Sequence, residues 1–166
     1  MVEQPPAPDG WVIRIGEGTG CVELVFTMLK VLLVDDHAVV RIGLERILHE
    51  AFHDLSVGHA DDGPAAIELA LEQPWDVIVL DITLPTLNGL ETLKQLKRMN
   101  VKARILMLSM HAGRPYVLGS LRAGAAGYLN KESAPDELVE AVNTVLAGRT
   151  YVSRALADIL QSASIR

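Results

Sequence analysis

Four short runs in this chain each lead directly into a polar residue with chemical potential. VLLV leads into Asp35 and Asp36, VIVL into Asp81, ILML into Ser109, and GYLN into Lys131. Three carboxylates, a hydroxyl and an ammonium suit a phosphoryl group held around a divalent cation. Brought together, the carboxylates repel: a pair 4 Å apart costs about 1 kcal/mol in water and about 4 kcal/mol at an effective dielectric of 20. A divalent cation makes such a cluster tolerable. Hard oxygen donors without a dedicated all-protein cage favour Mg2+ with several waters retained over Zn2+ or a structural Ca2+. Lys131 then supplies a compact cation and Ser109 a hydroxyl donor. Two chemistries fit: a phosphate bound as a ligand, or attack by Asp81 to give an aspartyl phosphate. Taken singly, Asp81 reads as a turn or helix-capping residue and Lys131 as a neutralising partner.

Whether the five meet depends on the elements that carry them. Val77–Leu80 is all apolar and rich in β-branched residues, the pattern of a strand buried on both faces of a parallel sheet. Val31–Val34 and Arg104–Leu108 repeat it, Leu55–Ala60 is a weaker version, and Gly127–Leu129 a short one. Helical patterns alternate with these strands. Val40, Leu44, Ile47 and Leu48 share one face, Ala65–Leu71 is stopped by Pro74, and Leu90, Leu93 and Leu96 mark a third helix. A fourth opens at Pro115 but carries Gly113 and Gly119, each costing up to ~1 kcal/mol relative to Ala. A fifth opens at Pro135, turns Leu138, Val142, Val145 and Leu146 inward and ends at Gly148; Ser153 is expected to cap a last helical stretch over Ala155–Leu160. Strands and helices in strict alternation predict a doubly wound α/β fold with five parallel strands in the order 2-1-3-4-5. In that order Asp35, Asp36, Asp81, Ser109 and Lys131 converge at the carboxyl edge of the sheet, where such folds bind ligands.

The 166 residues are about one domain's length. A net charge of −6 argues against a face that grips a nucleic-acid backbone. The single cysteine, Cys21, excludes an internal disulfide and fits a reducing compartment. No apolar run approaches the roughly 20 residues of a membrane span, and acidic Glu3 and Asp9 are unlike a secretory leader. The expected location is the cytoplasm. Residues 1–27 read as a separate N-terminal extension. It is either unpacked chain that precedes a start at Met28, or a short hairpin through Trp11–Ile15 and Cys21–Phe26. Gly16, Gly18 and Gly20 lack the spacing and following helix of a nucleotide-binding loop.

The motifs VLLVDDH (31–37), LDITLPTLNGLE (80–91), LMLSMH (106–111) and GAAGYLNKESAPDEL (124–138) resemble the receiver domain of bacterial two-component response regulators. DDHAVVRIGL, GYLNK followed by PDEL, and VLAGRTYVS resemble the NarL/FixJ group, whose members usually carry a LuxR-type helix-turn-helix after the receiver. The resemblance covers about residues 28–160 and implies a flavodoxin-like (CheY-like) fold with the receiver at 28–148. It implies that Asp81 accepts a phosphoryl group from a histidine kinase. Asp36, Asp81 and the Thr83 carbonyl would ligate Mg2+, with Asp35 helping through water. Lys131 and Ser109 would contact the phosphoryl oxygens, and Tyr128 would be the aromatic that swings inward on activation. Thr83 and His111 stand where the family influences access of the hydrolytic water. The face made by the fourth helix, fifth strand and fifth helix is the expected site of a phosphorylation-dependent homodimer or partner surface.

Residues 149–166, a helical stretch or the start of a linker, are too few for a helix-turn-helix domain. A single-domain regulator, a truncated one and an excised receiver all fit, and no nucleic-acid binding is expected of this chain itself. Two rivals are weaker. A haloacid-dehalogenase-type phosphatase needs a second acid where Thr83 stands, and a flavodoxin needs a phosphate loop where DDHAVV stands. A phosphorylation-independent interaction module with a vestigial site remains the alternative.

Overall fold

The buried apolar runs do become the strands of a parallel sheet. The computed structural model describes residues 11–15 and 24–164; residues 1–10 and the glycine-rich stretch at 16–23 lie outside the described residues. Strands β2 (Leu24–Val34), β3 (Leu55–Ala60), β4 (Val77–Asp81), β5 (Arg104–Ser109), β6 (Gly127–Asn130) and β7 (Tyr151–Val152) are all parallel. They lie in the order β3-β2-β4-β5-β6-β7. The first five are the expected strands in the expected order, and β7 is an addition. It is only two residues long, and it lies so close to β6 that a Cβ at Gly127 would fall 2.5 Å from the Tyr151 carbonyl oxygen. Strand β1 (Trp11–Ile15) pairs antiparallel with the first half of β2, Trp11 opposite Met28 and Ile15 opposite Leu24. Trp11–Ile15 thus pairs with Leu24–Met28 rather than with the expected Cys21–Phe26, of which residues 21–23 lie outside the described residues.

Helices α1 (Ala38–Ala51), α2 (Gly63–Glu72), α3 (Gly89–Arg98), α4 (Arg114–Arg122) and α5 (Ala134–Leu146) connect the strands; a 3-10 turn, Arg154–Leu156, leads into α6 (Ala157–Ser164). Alternation along each strand gives the sheet two apolar faces. Leu32, Val34, Ile78, Leu80, Ile105, Met107 and Tyr128 face α2, α3 and α4, meeting Ala66, Leu93, Leu96 and Val117. Leu33, Val79, Leu106, Leu108 and Leu129 face α1 and α5, meeting Leu44, Leu48, Leu138, Val142 and Val145. Helix α2 starts two residues before the expected Ala65 because Asp62 caps it, accepting from the Ala65 N–H at 2.8 Å, with Pro64 in its first turn. At the other end the expected cap is corrected. Ser153 makes no side-chain cap bond; its hydroxyl turns into the sheet and accepts from the Asn130 N–H at 2.8 Å.

Candidate functional site

Sheet register assembles the site. Val34 pairs with Leu80, so Asp35 and Asp81 leave adjacent strands side by side. Asp81 pairs with Leu108, and Ser109 with Asn130. The Lys131 N–H donates to the Ser109 carbonyl at 2.9 Å, which starts the lysine off beside that strand end. Its Nζ lies 2.7 Å from Asp35 Oδ2 and 2.9 Å from Asp81 Oδ2. Both carboxylates are 2% exposed and the lysine 14%. Asp36, the next residue along a bend in the chain, is 37% exposed at the rim. His37 Nδ1 lies 3.0 Å from an oxygen of each of Asp35 and Asp36.

The two buried carboxylates are not equivalent. Burial pushes Asp35 up, but Lys131 and the His37 N–H, which donates to it at 2.8 Å, outweigh this and hold it below the usual carboxylate range. Burial also dominates at Asp81, and there it wins. Lys131 and the Thr83 N–H at 3.0 Å offset only part of it, and the Asp35 charge adds to it, so Asp81 sits above the usual range. Burial alone would lower Lys131, but its two carboxylate partners raise it. One ammonium serves two anions, and it lies nearer the one with more additional donors.

A close backbone approach sets the outer wall. Helix α3 begins at Gly89, whose N–H donates to the Ile82 carbonyl at 2.8 Å. A Cβ there would overlap the Asp81 carbonyl oxygen and stand 2.6 Å from Ile82 Cα. Asn88 caps the helix by accepting from the Glu91 N–H at 2.9 Å. On the opposite wall Ser109 is buried, and its Oγ accepts from the His111 N–H at 2.9 Å. The His111 carbonyl accepts from the Tyr128 hydroxyl at 2.7 Å. Tyr128 is wholly buried, so in this structure the ring lies inside, and burial raises its hydroxyl's pKa. The His111 ring stacks on Tyr116 of α4 at a centroid distance of 4.4 Å.

The structure therefore puts Asp35, Asp81 and Lys131 in direct contact, Asp36 on the rim, and Ser109 on the neighbouring strand end. Thr83 meets Asp81 through its backbone N–H. Donor atoms of Asp35, Asp36, His37 and Asp81 all lie within 4.8 Å of one another. Three hard oxygen donors among four suit Mg2+, and the buried Asp35 Oδ2 has no well-aligned hydrogen bond despite its contact with Lys131. Sequence reasoning missed His37 and Arg41, whose guanidinium donates to the Asp35 carbonyl. The DDH triplet was the available signal for His37.

A family model described as "Response regulator receiver domain" matches residues 31–143. The chain belongs to the response regulator receiver family. It is 37% identical over 131 residues to response regulator UvrY of Escherichia coli K12, covering 79% of this chain and 60% of that protein. It is 38% identical over 136 residues to the nitrate/nitrite response regulator NarL of the same organism, covering 82% and 62%. The receiver thus spans about three fifths of the length of these relatives. Among solved structures, a LuxR-family two-component response regulator from Aurantimonas matches with a TM-score of 0.76 and 34% identity, covering 84% of this chain and all of that one. The receiver domain of a NarL regulator from Mycobacterium tuberculosis matches at 0.69 and 35%, covering 74% and 98%. Among the described residues, no helix of the receiver is long and apolar enough to cross a membrane.

Within the receiver, α4 has an uncapped start and open space along one side. Gly113 at its N-cap offers no side chain, and a Cβ at Gly119 would meet nothing within 4 Å. A cleft of about 450 Å³ separates it from the β4–α3 loop, lined by Ile82, Leu84, Leu90, Pro115 and Tyr116 among others. The Ser120 hydroxyl beside it is buried without a partner.

Proposed function

We propose that this receiver takes a phosphoryl group on Asp81 from the phosphohistidine of a sensor histidine kinase, in a Mg2+-dependent reaction. The observation that carries the reading is Lys131 bridging two buried carboxylates at the carboxyl edge of the sheet, with Asp36 on the rim. An Asp81 oxygen attacks phosphorus, the phosphorus–nitrogen bond of the donor breaks, and the imidazole leaves. The metal, when bound, neutralises charge on the transferring oxygens. Asp36, Asp81 and the Thr83 carbonyl would hold it, with Asp35 helping through water. Lys131 and Ser109 take phosphoryl oxygens, and His111 with Thr83 borders the path of hydrolytic water.

The product adds about −1.5 to −2 charges at the sheet edge. Ser109, His111 and Tyr128 form a hydrogen-bonded chain behind that edge, the His111 ring stacks on Tyr116 of α4, and the α4–β6–α5 face is the element to repack. That face would serve a phosphorylation-dependent homodimer. In full-length regulators of this type, the response passes to a DNA-binding output domain and to transcription in the cytoplasm. Intact mass after incubation with acetyl phosphate and Mg2+, beside Asp81→Asn, tests the reading. One phosphoryl gained, dependent on Mg2+ and absent from the variant, is expected. No gain by the folded wild type would leave a phosphorylation-independent interaction module.

A further inference from the structure

The chain after α5 turns back into the sheet. Tyr151 and Val152 pair with Gly127 and Tyr128, and the Ser153 N–H donates to the Tyr128 carbonyl at 3.0 Å. Ser153 is fully buried. Its hydroxyl accepts from the Asn130 N–H at 2.8 Å and lies 3.4 Å from the Ser133 hydroxyl, which also bonds the Asn130 carbonyl at 3.3 Å. Asn130 ends β6 and immediately precedes Lys131. Its N–H points away from β5, where β7 has already run out, and the Ser153 side chain supplies the acceptor the next strand residue would have given.

A second group of contacts holds Ser153 in place. Glu137 of α5 is 3% exposed, a costly position for a carboxylate without donors. It accepts from the Tyr151 hydroxyl at 2.8 Å and from the Arg154 N–H at 2.9 Å. The Arg154 guanidinium reaches on to Glu140. A buried acid thus clamps the residues on both sides of the Val152–Ser153 pair. By side chain, this segment meets the phosphoryl edge at the Asn130 N–H, one residue before Lys131.

We propose that Ser153 is a positioning residue of the phosphoryl site: its hydroxyl fixes the end of β6, and so the direction in which Lys131 leaves the sheet. This deepens the phosphoacceptor reading and rests on it. The coupling is reciprocal. Whatever changes the partners of Lys131 also changes how firmly residues 151–154 are held, so phosphorylation is felt by the chain that follows Leu156.

The test compares acetyl phosphate phosphorylation of the wild type, Ser153→Ala and Tyr151→Phe, with Mg2+ affinity measured by calorimetry. Losing one hydrogen bond's worth of placement predicts that Ser153→Ala reacts about fivefold more slowly. Its Mg2+ affinity should match the wild type, because the acidic ligands are untouched. Tyr151→Phe loosens the same segment but keeps the Ser153 hydroxyl, and its rate should fall less than that of Ser153→Ala. An unchanged rate in Ser153→Ala overturns the proposal, as does an equal loss in Tyr151→Phe or a parallel loss of Mg2+ affinity. In the unmutated protein, beryllofluoride with Mg2+ should slow amide exchange at Asn130 and Ser153. Unchanged exchange there overturns the proposal even if Ser153→Ala does not fold. A wild type that takes no phosphoryl group at all brings down the phosphoacceptor reading, and this inference with it.

Discussion

Replacing Lys131 with methionine keeps the apolar stem and removes the one cation shared by Asp35 and Asp81. The two carboxylates, each 2% exposed, are then left facing each other. Two unit charges roughly 5 Å apart at an effective dielectric of 20 repel by about 3 kcal/mol. Removing one partner of a buried ion pair typically costs ~3–5 kcal/mol. The protein has one escape, which is to protonate a carboxylate. For a group with an ordinary value of 3.8 that costs at most about 4.4 kcal/mol at pH 7 and about 1.6 kcal/mol at pH 5. Asp81, already above its usual range, takes the proton. Its folded pKa then stands further above its unfolded one, so the variant's stability falls as pH rises from 5 to 7. Lys131→Met should therefore lose ~3–4 kcal/mol at pH 7 and under ~2 kcal/mol at pH 5. Urea unfolding at both pH values in chelator measures this. Millimolar Mg2+ at pH 7 should restore more stability to the variant than it adds to the wild type. A loss that ignores pH, or no extra response to Mg2+, would refute the charge argument.

Three further outcomes follow from particular contacts. Gly89→Ala should lower stability by about 1–3 kcal/mol, because the new methyl overlaps backbone at Asp81 and Ile82 that cannot move aside; an unchanged melting temperature would refute the close approach. Gly119→Ala should raise stability by up to ~1 kcal/mol and slow amide exchange in α4, since its Cβ enters open space in a helix. Glu137→Gln should cost about 1–3 kcal/mol at neutral pH by weakening the bonds to Tyr151 and Arg154. Burial pushes Glu137 up, but those donors hold it below its ordinary value of 4.5. Its contribution is therefore present above that value and lost as pH falls through the folded one. The gap between wild type and variant should narrow on acidification, as unfolding midpoints at neutral and acid pH would register.

The central strands were readable because they are buried on both faces, which turns each into a continuous apolar run whose end is marked by a polar residue. The same punctuation placed Asp35, Asp81, Ser109 and Lys131 at one edge. What stayed hidden depends on residues meeting late in the chain. Asp35 and Asp36 are neighbours in sequence, and only register against β4 decides which of them meets Lys131. Strand β7 is two residues long and carries no period to detect. Glu137 reads as a first-turn acid that favours a helix N-terminus; the return of Tyr151 and Arg154 is what buries it. Ser153 looked like a cap because serine often is one, and the sheet had the stronger demand for its hydroxyl.

On the phosphoacceptor reading, the inequality of the two carboxylates is what lets the edge act as a switch. Asp35 is held by Lys131, the His37 N–H and a nearby imidazole, and it keeps its charge as a fixed part of the wall. Asp81 has a share of Lys131, one N–H, and a negative neighbour. On the phosphoacceptor reading, a phosphoryl group on Asp81 presents more charge to the same donors, so Lys131 must shift toward it. Moving a two-state equilibrium from 1:99 to 99:1 takes ~5.5 kcal/mol. Two or three charge-assisted hydrogen bonds at ~1.5–3 kcal/mol each cover that. The opposing cost is the repacking of α4, which buries Val117 and Ser120 but has an uncapped start and borders a cleft at Tyr116.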